Sequence, residues 1–197
     1  MHPPENGIKI LDYSQNKPRT FFVLGFFVYI FLFFFIFYIM IKEYDRKSAV
    51  NYAKSWAFDR NPNYYNFDKI GGDCTNFASQ CLFNGSFVMN YNYPLGWYYN
   101  SINDRAPAWT DVDYFYNFLI KNTSYGPFGV EVSFQEVKIG DFIQLGNPND
   151  YYHNLIITEF KNNIPLVCAH TNDALDRPLT SYSFNSFRCI HILGVRY

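Results

Sequence analysis

The sequence predicts an α+β domain, with helices first and an antiparallel sheet after them, preceded by one transmembrane helix. Three observations carry this reading. Residues 21 to 41 form an apolar run without a charge. Helical periodicity then recurs between Tyr44 and Asn122. Beyond Gly126 the pattern shortens to strand-like runs separated by Asn, Pro and Gly clusters. Helices followed by strands place an antiparallel sheet against the helix that starts at Cys74.

The run "FFVLGFFVYIFLFFFIFYIMI" spans 21 residues. As a helix it covers roughly 31 Å, enough for a bilayer core. A signal peptide has a shorter apolar region, about 7 to 15 residues, and a small-residue cleavage site. Here "KEYDRKSAV" follows, with no such site, so an uncleaved signal anchor is expected. Lys9, Lys17 and Arg19 on one side face Lys42, Arg46 and Lys47 on the other, so positive charge does not choose an orientation. Long domains translocate largely regardless of charge. The expected order is a cytoplasmic tail (1–20), a single-pass anchor (21–41) in membrane lipid, and an extracellular domain (44–197). At 154 residues that domain has a normal size for one core. A net charge of −1 leaves no basic footprint, which excludes nucleic acid as a partner.

Within the domain, Ala49, Tyr52, Ala53, Trp56 and Ala57 recur at three- and four-residue spacing and predict a helix from Tyr44 to Arg60, before Pro62. A second helix is predicted from Cys74 to Phe83, with Gly85 as its stop. In "TDVDYFYNFLIKN", Thr110 as N-cap, Asp113 three residues later and Lys121 in the last turn predict a third. Strands are expected in "GVEVSFQEV", "DFIQLG", "HNLIITEF", "IPLVCAHT" and "CIHILGVRY". A hairpin through "KNNIP" would join the third and fourth.

The chemistry centres on "GGDCTNFASQC" at 71–81. A thiol at a helix N-terminus meets unpaired backbone N–H groups and the positive end of the dipole, which favour thiolate. The same N–H groups can hold the oxyanion formed when a carbonyl is attacked. Gly71 and Gly72 allow a sharp turn there. A thiolate needs a base and the base an orienter. His153 opens one strand and His170 closes the next, so the hairpin returns both to one rim. His170 would then bond one nitrogen of His153 while the other faces Cys74; Asn172, two residues on, is the rival orienter. The competing readings of Cys74 are a buried hydrophobe, a zinc ligand and half of a disulfide. Seven helical residues separate Cys74 from Cys81 by roughly 10 Å, beyond the ~7 Å limit for a disulfide. No pair among Cys74, His153 and His170 has zinc-site spacing, so neither metal nor cofactor is expected. Cys81, Cys168 and Cys189 read as core thiols, with a Cys81–Cys168 bridge left open, and His191 as packing.

In order, "YDRKSAVNYAKSWA", "NPNYYNF", "GGDCTNFASQCL", "WYY", "APAWT", "GDFIQLG", "HNLIIT" and "AHTND" closely resemble the putative amidase domain family, related to NlpC-type and CHAP-type cysteine peptidases of papain-like fold. The resemblance covers residues 44 to about 180. It implies a papain-like (NlpC-type) fold with Cys74 as nucleophile, His153 as base and His170 as the third catalytic residue. It also implies that Asp73 binds the substrate's amino group and that Tyr65 or Tyr64 supports the oxyanion. Asp141 matches a structural strand start. Trp97, in "GWYY", is a further candidate for the substrate groove. The function expected is a membrane-anchored thiol amidase or peptidase acting on bacterial cell-wall peptides or peptidoglycan fragments. The alternative is a non-catalytic module that holds wall fragments or a partner in the same cleft.

Overall fold

The structure, a computed structural model, describes residues 40–197. The predicted tail and nearly all of the predicted anchor lie outside them. No helix among the described residues is long and apolar enough to cross a membrane. The last two residues of the apolar run depart from a helical anchor. Met40 exchanges backbone hydrogen bonds with Tyr197, and Ile41 pairs with Arg196 in a short strand β1 (Ile41–Lys42). The end of the last strand offers them an open edge.

The described residues form a mixed α+β fold of three α-helices and an antiparallel sheet. Helix α1 (Arg46–Trp56) starts where Asp45 accepts from the backbone N–H of Ser48 (2.9 Å). Helix α2 (Cys74–Ser86) runs one turn beyond its predicted end. Gly85 does not stop it; a Cβ there would overlap the Tyr44 ring and the Asp45 carbonyl, so this glycine serves close approach. Phe87, at φ 53°, ends the helix instead, its N–H bonded to the Phe83 carbonyl. A small hairpin, β2 (Tyr99–Ser101) and β3 (Asp104–Arg105), precedes α3 (Val112–Lys121). Its N-cap is Asp111 rather than Thr110, because the carboxylate reaches the Tyr114 N–H (2.9 Å).

The strands are β4 (Gly126–Val132), β5 (Phe142–Asn147), β6 (Asp150–Lys161), β7 (Ile164–Ala169), β8 (Ala174–Pro178) and β9 (Ser186–Arg196). The sheet runs β9-β5-β6-β7-β8, with β4 on the other edge of β9. The β6–β7 hairpin turns at Asn162 and Asn163, both at positive φ, as a tight hairpin turn requires. The strand β8 was not expected; "ALDRP" lacks the alternation that marks a strand in sequence.

Alternation divides the core between the two faces of the sheet. Phe142, Ile156, Cys168, Ile190 and Ile192 pack with Phe77, Cys81 and Leu82 of α2 and with the aromatic residues Trp97, Trp109, Phe115 and Phe118. Ile143, Leu145, Leu155, Ile157 and Val167 face the other way, under Phe134, Leu179, Tyr182 and Phe184. All four cysteines are buried and unbonded to one another.

Between β5 and β1 the edge of β9 carries no strand, and two side chains substitute for one. Fully buried Asp141 accepts from the Ile192 N–H (3.1 Å), while Arg46 donates to the Ile192 carbonyl (2.6 Å) and to Asp141 itself (2.6 Å). Asp141 also accepts from the Lys138 N–H (2.7 Å) and contacts His191 Nδ1 (2.7 Å). His191 is thus a packing partner, and the "GD" acid ties α1 to the sheet. Removing this carboxylate strands a part-buried guanidinium and two backbone groups. We expect Asp141→Ala to lower unfolding free energy by about 3–5 kcal/mol, read as a reduced urea midpoint.

Candidate active site

The head of α2 is set against the sheet where β6 and β7 part. Their ladder closes at Ile156–Cys168, and beyond it β7 ends and the chain turns away. Cys74, the first residue of α2, occupies this gap. Its Sγ lies 4.0 Å from the Tyr152 carbonyl and receives the N–H of Asn154, so the thiol borders the β6 backbone on both sides of His153. Beneath it runs a chain of buried polar side chains. Asn154 Nδ2 donates to Thr75 Oγ1 (2.8 Å), Gln144 Nε2 to Asn154 Oδ1 (2.7 Å), and Arg188 Nε to Gln144 Oε1 (2.6 Å). Each member has its partner, so the chain fixes the register of helix against strand.

Asp73 precedes the thiol but leaves the helix uncapped, its side chain accepting from no backbone N–H of the first turn. Its carboxylate is turned inward and fully buried. Oδ1 accepts from the Phe67 N–H (2.9 Å) and from Asn76 Nδ2 (2.9 Å), and Oδ2 meets His170 Nδ1 at 2.6 Å. The first N–H groups of α2 therefore receive no cap from Asp73, and such groups attract an anion. Asp73 itself cannot bind a substrate's amino group, as the resemblance implied, because both oxygens are occupied away from any opening.

His170 also departs from its expected place. Its second nitrogen, Nε2, is 2.8 Å from the Trp56 carbonyl, and its ring stacks on Phe77 with centroids 3.9 Å apart. Neither nitrogen is free to bond His153. The chain after it bends at Thr171 (φ 58°) and Asn172 (φ 74°), and Thr171 Oγ1 accepts from the Asp73 N–H (2.7 Å). Two successive non-glycine residues in the left-handed region mark a turn held by its surroundings.

That turn brings Asn172, not His170, to the cavity that His153 lines. The cavity, of about 460 Å³, is lined also by Tyr152, Thr171, Arg177 and Tyr182. His153 is 8% exposed, and its Nε2 is buried without a hydrogen-bond partner. Tyr182 lines the same cavity, its ring centroid 6.2 Å from that of His153, and its hydroxyl is likewise buried and unpartnered. Two orphaned polar atoms on one cavity mark a place where a polar ligand fits.

Electrostatics favour the neutral forms of both central groups. Burial pushes the Cys74 thiol above its ordinary value, partly offset by the Asn154 N–H and Thr75; the Asp73 charge adds to the rise. Desolvation thus outweighs the hydrogen bonds to the sulfur in the resting state, opposite to the lowered value expected from position alone. Burial, helped by Arg177, lowers His153 from 6.5 to about 4. The remaining candidates divide. Tyr65 is exposed beside the helix head, its carbonyl accepting from Asn76 Nδ2 (3.1 Å). Trp97 is fully buried, its Nε1 donating to Ser79 Oγ (2.9 Å) and its ring stacked on Trp109 and Phe118, so it cannot line a groove. Arg177 and Tyr182 were not anticipated, since β8 and the loop after it gave no pattern that places them beside His153.

Residues 43–193 match the family described as a putative amidase domain. The chain belongs to this family. It is also 35% identical over 175 residues to the uncharacterized protein YhbB of Bacillus subtilis strain 168, covering 85% of the present chain and 50% of that protein. The chain thus spans about half the length of the curated relative it matches. No solved structure matches it. Family membership supports a hydrolase-like function for the amidase domain.

The His153 environment makes stability depend on pH. A buried neutral imidazole binds fewer protons than the unfolded chain between pH 6.5 and about 4. Its contribution, about 3 kcal/mol, is fully present above 6.5 and lost as pH falls through 4. The urea midpoint of the wild type should fall more steeply across this window than that of His153→Leu; parallel slopes would assign the dependence elsewhere.

Proposed function

We propose that this chain is a membrane-anchored thiol amidase of papain-like, NlpC-related type, acting outside the cell on amide bonds of bacterial wall peptides. The single observation that carries this reading is the juxtaposition at β6. A thiol at an uncapped helix head borders the backbone on both sides of a buried histidine, which lines a cavity and whose Nε2 is buried without a partner.

The mechanism follows from neutral partners. As Cys74 Sγ attacks the amide carbonyl, its proton passes to His153 and a carbon–sulfur bond forms. The oxyanion is met by the free N–H groups at the head of α2. Collapse breaks the C–N bond, and protonated His153 gives its proton to the leaving amine. Water, deprotonated by His153, then cleaves the thioester and regenerates the thiol. Asn172 orients His153. His170 is a positioning residue, acting through Asp73 on the placement of the helix head.

With the purified full-length chain, mass spectrometry of wall peptides should show a new amine and a new acid from one cut bond. Cys74→Ala should abolish this, and His153→Ala should lower kcat by roughly 10²–10⁴-fold. Asn172→Ala should cost less, and His170→Gln should reduce stability along with activity. A Cys74→Ala chain as active as the wild type would falsify the assignment. The raised thiol favours one second reading, a binding module that retains wall fragments without cleaving them. In that case Cys74 would label as slowly as the other cysteines while peptides still bound.

The anchor at 21–41, with residues 1–20 inside the cell, belongs to the same proposal and rests on the uncharged apolar run. The full-length chain should stay with membranes through alkaline carbonate extraction; its release would remove the anchor from the reading.

A further inference from the structure

The cavity beside His153 carries a single fixed cation. None of its eight wall residues has a carboxylate, and Arg177 is the one side chain among them that is always charged. Arg177 lies on β8, paired across the sheet with Val167. The neighbouring acids are engaged elsewhere: Asp176 holds Lys54 (2.9 Å) and accepts from Thr158 Oγ1 (2.6 Å), and Asp173 holds Arg60 (2.8 Å). Among the described residues Arg177 takes part in no ion pair.

Its guanidinium is nevertheless held in place. Nε donates to Ser181 Oγ (2.8 Å), Nη2 to the Ser181 carbonyl (2.9 Å), and the group lies 3.9 Å from the centre of the Tyr182 ring. Nη1 has no partner among the described residues. Tyr182 lines the same cavity, and its hydroxyl is buried and unpartnered. A planar cation fixed at one edge and free at the other, beside an orphaned hydroxyl, is an arrangement suited to a carboxylate. An unmatched cation in a cleft also raises the local concentration of anions.

We propose that Arg177 and Tyr182 form a carboxylate subsite beside His153, so that the amide bonds preferred by the enzyme are those flanked by a free carboxylate of the peptide. This rests on the reading of Cys74 as the nucleophile. It adds a requirement on the substrate, an acidic group within reach of the scissile bond, and it names the residues that read it.

A pair of small alkylating reagents tests the subsite without a known substrate. Iodoacetate carries a carboxylate and iodoacetamide does not; in both reactions the Cys74 thiolate displaces iodide and forms a thioether. The full-length chain is treated with each reagent, and modification at Cys74 is followed by peptide mass spectrometry. The rate ratio of iodoacetate to iodoacetamide cancels changes in the thiol's own reactivity. That ratio should drop roughly threefold to tenfold in Arg177→Gln and further in Arg177→Glu, with Arg177→Lys between Gln and wild type. Fast labelling of Cys74 with the same ratio in all four chains would overturn the subsite and leave the nucleophile standing. Labelling of Cys74 no faster than Cys81, Cys168 and Cys189 by either reagent would overturn both.

Discussion

The site depends on one buried contact, the 2.6 Å hydrogen bond between Asp73 and His170. It joins the residue before the thiol to the residue after β7, two points 97 positions apart in sequence. Both side chains are nearly inaccessible, and each is held by further partners: Phe67 and Asn76 on the acid, Trp56 and the Phe77 ring on the histidine. Leaving either buried group unpaired costs roughly 1–3 kcal/mol or more, so the contact is strongly specified once formed. Its geometric consequence is larger than its energy. Drawing Asp73 inward leaves the first turn of α2 uncapped, and anchoring His170 sends Thr171 and Asn172 round towards His153.

A second constraint acts on charge. The same packing that fixes the thiol and the imidazole removes both from water, raising one and lowering the other. Desolvation disfavours the charged form of each, so the resting pair is neutral. The orphaned nitrogen of His153 and hydroxyl of Tyr182 are the cost of keeping a cavity ready for a polar ligand. Around them, the Thr75–Asn154–Gln144–Arg188 chain is fully paired, which keeps the strain local to the opening.

Much of the fold could be read from residue patterns. The three helices and the strands β4 to β7 and β9 stand where periodicity placed them, because each presents one apolar face to a shared core. Misplaced details were those that depend on distant contacts: the cap of α3, the last turn of α2 beneath Tyr44, and β8. The site divides in the same way. Cys74 and His153 lie where a helix start and a strand opening placed them, the thiol at the head of α2 and the histidine on β6. Asp73 and Trp97, both read as substrate-facing, are core residues, and His170 holds the scaffold. Polar and aromatic residues serve a groove or an interior equally well, and local sequence does not distinguish the two.

By itself, then, the sequence determined the α+β class, family membership, the helix that begins at the thiol and the hairpin that carries two histidines. The class, the helix and the hairpin follow from short-range regularities of period 2 and 3.6 and from local turn chemistry, and the family from the resemblance of its motifs. Only the tertiary structure decided which polar residue shares a cavity with His153, which acid is buried, and that an unmatched arginine lines the same space. Those outcomes depend on which side chains lose water together, and that is set by the packing of segments separated by tens of residues.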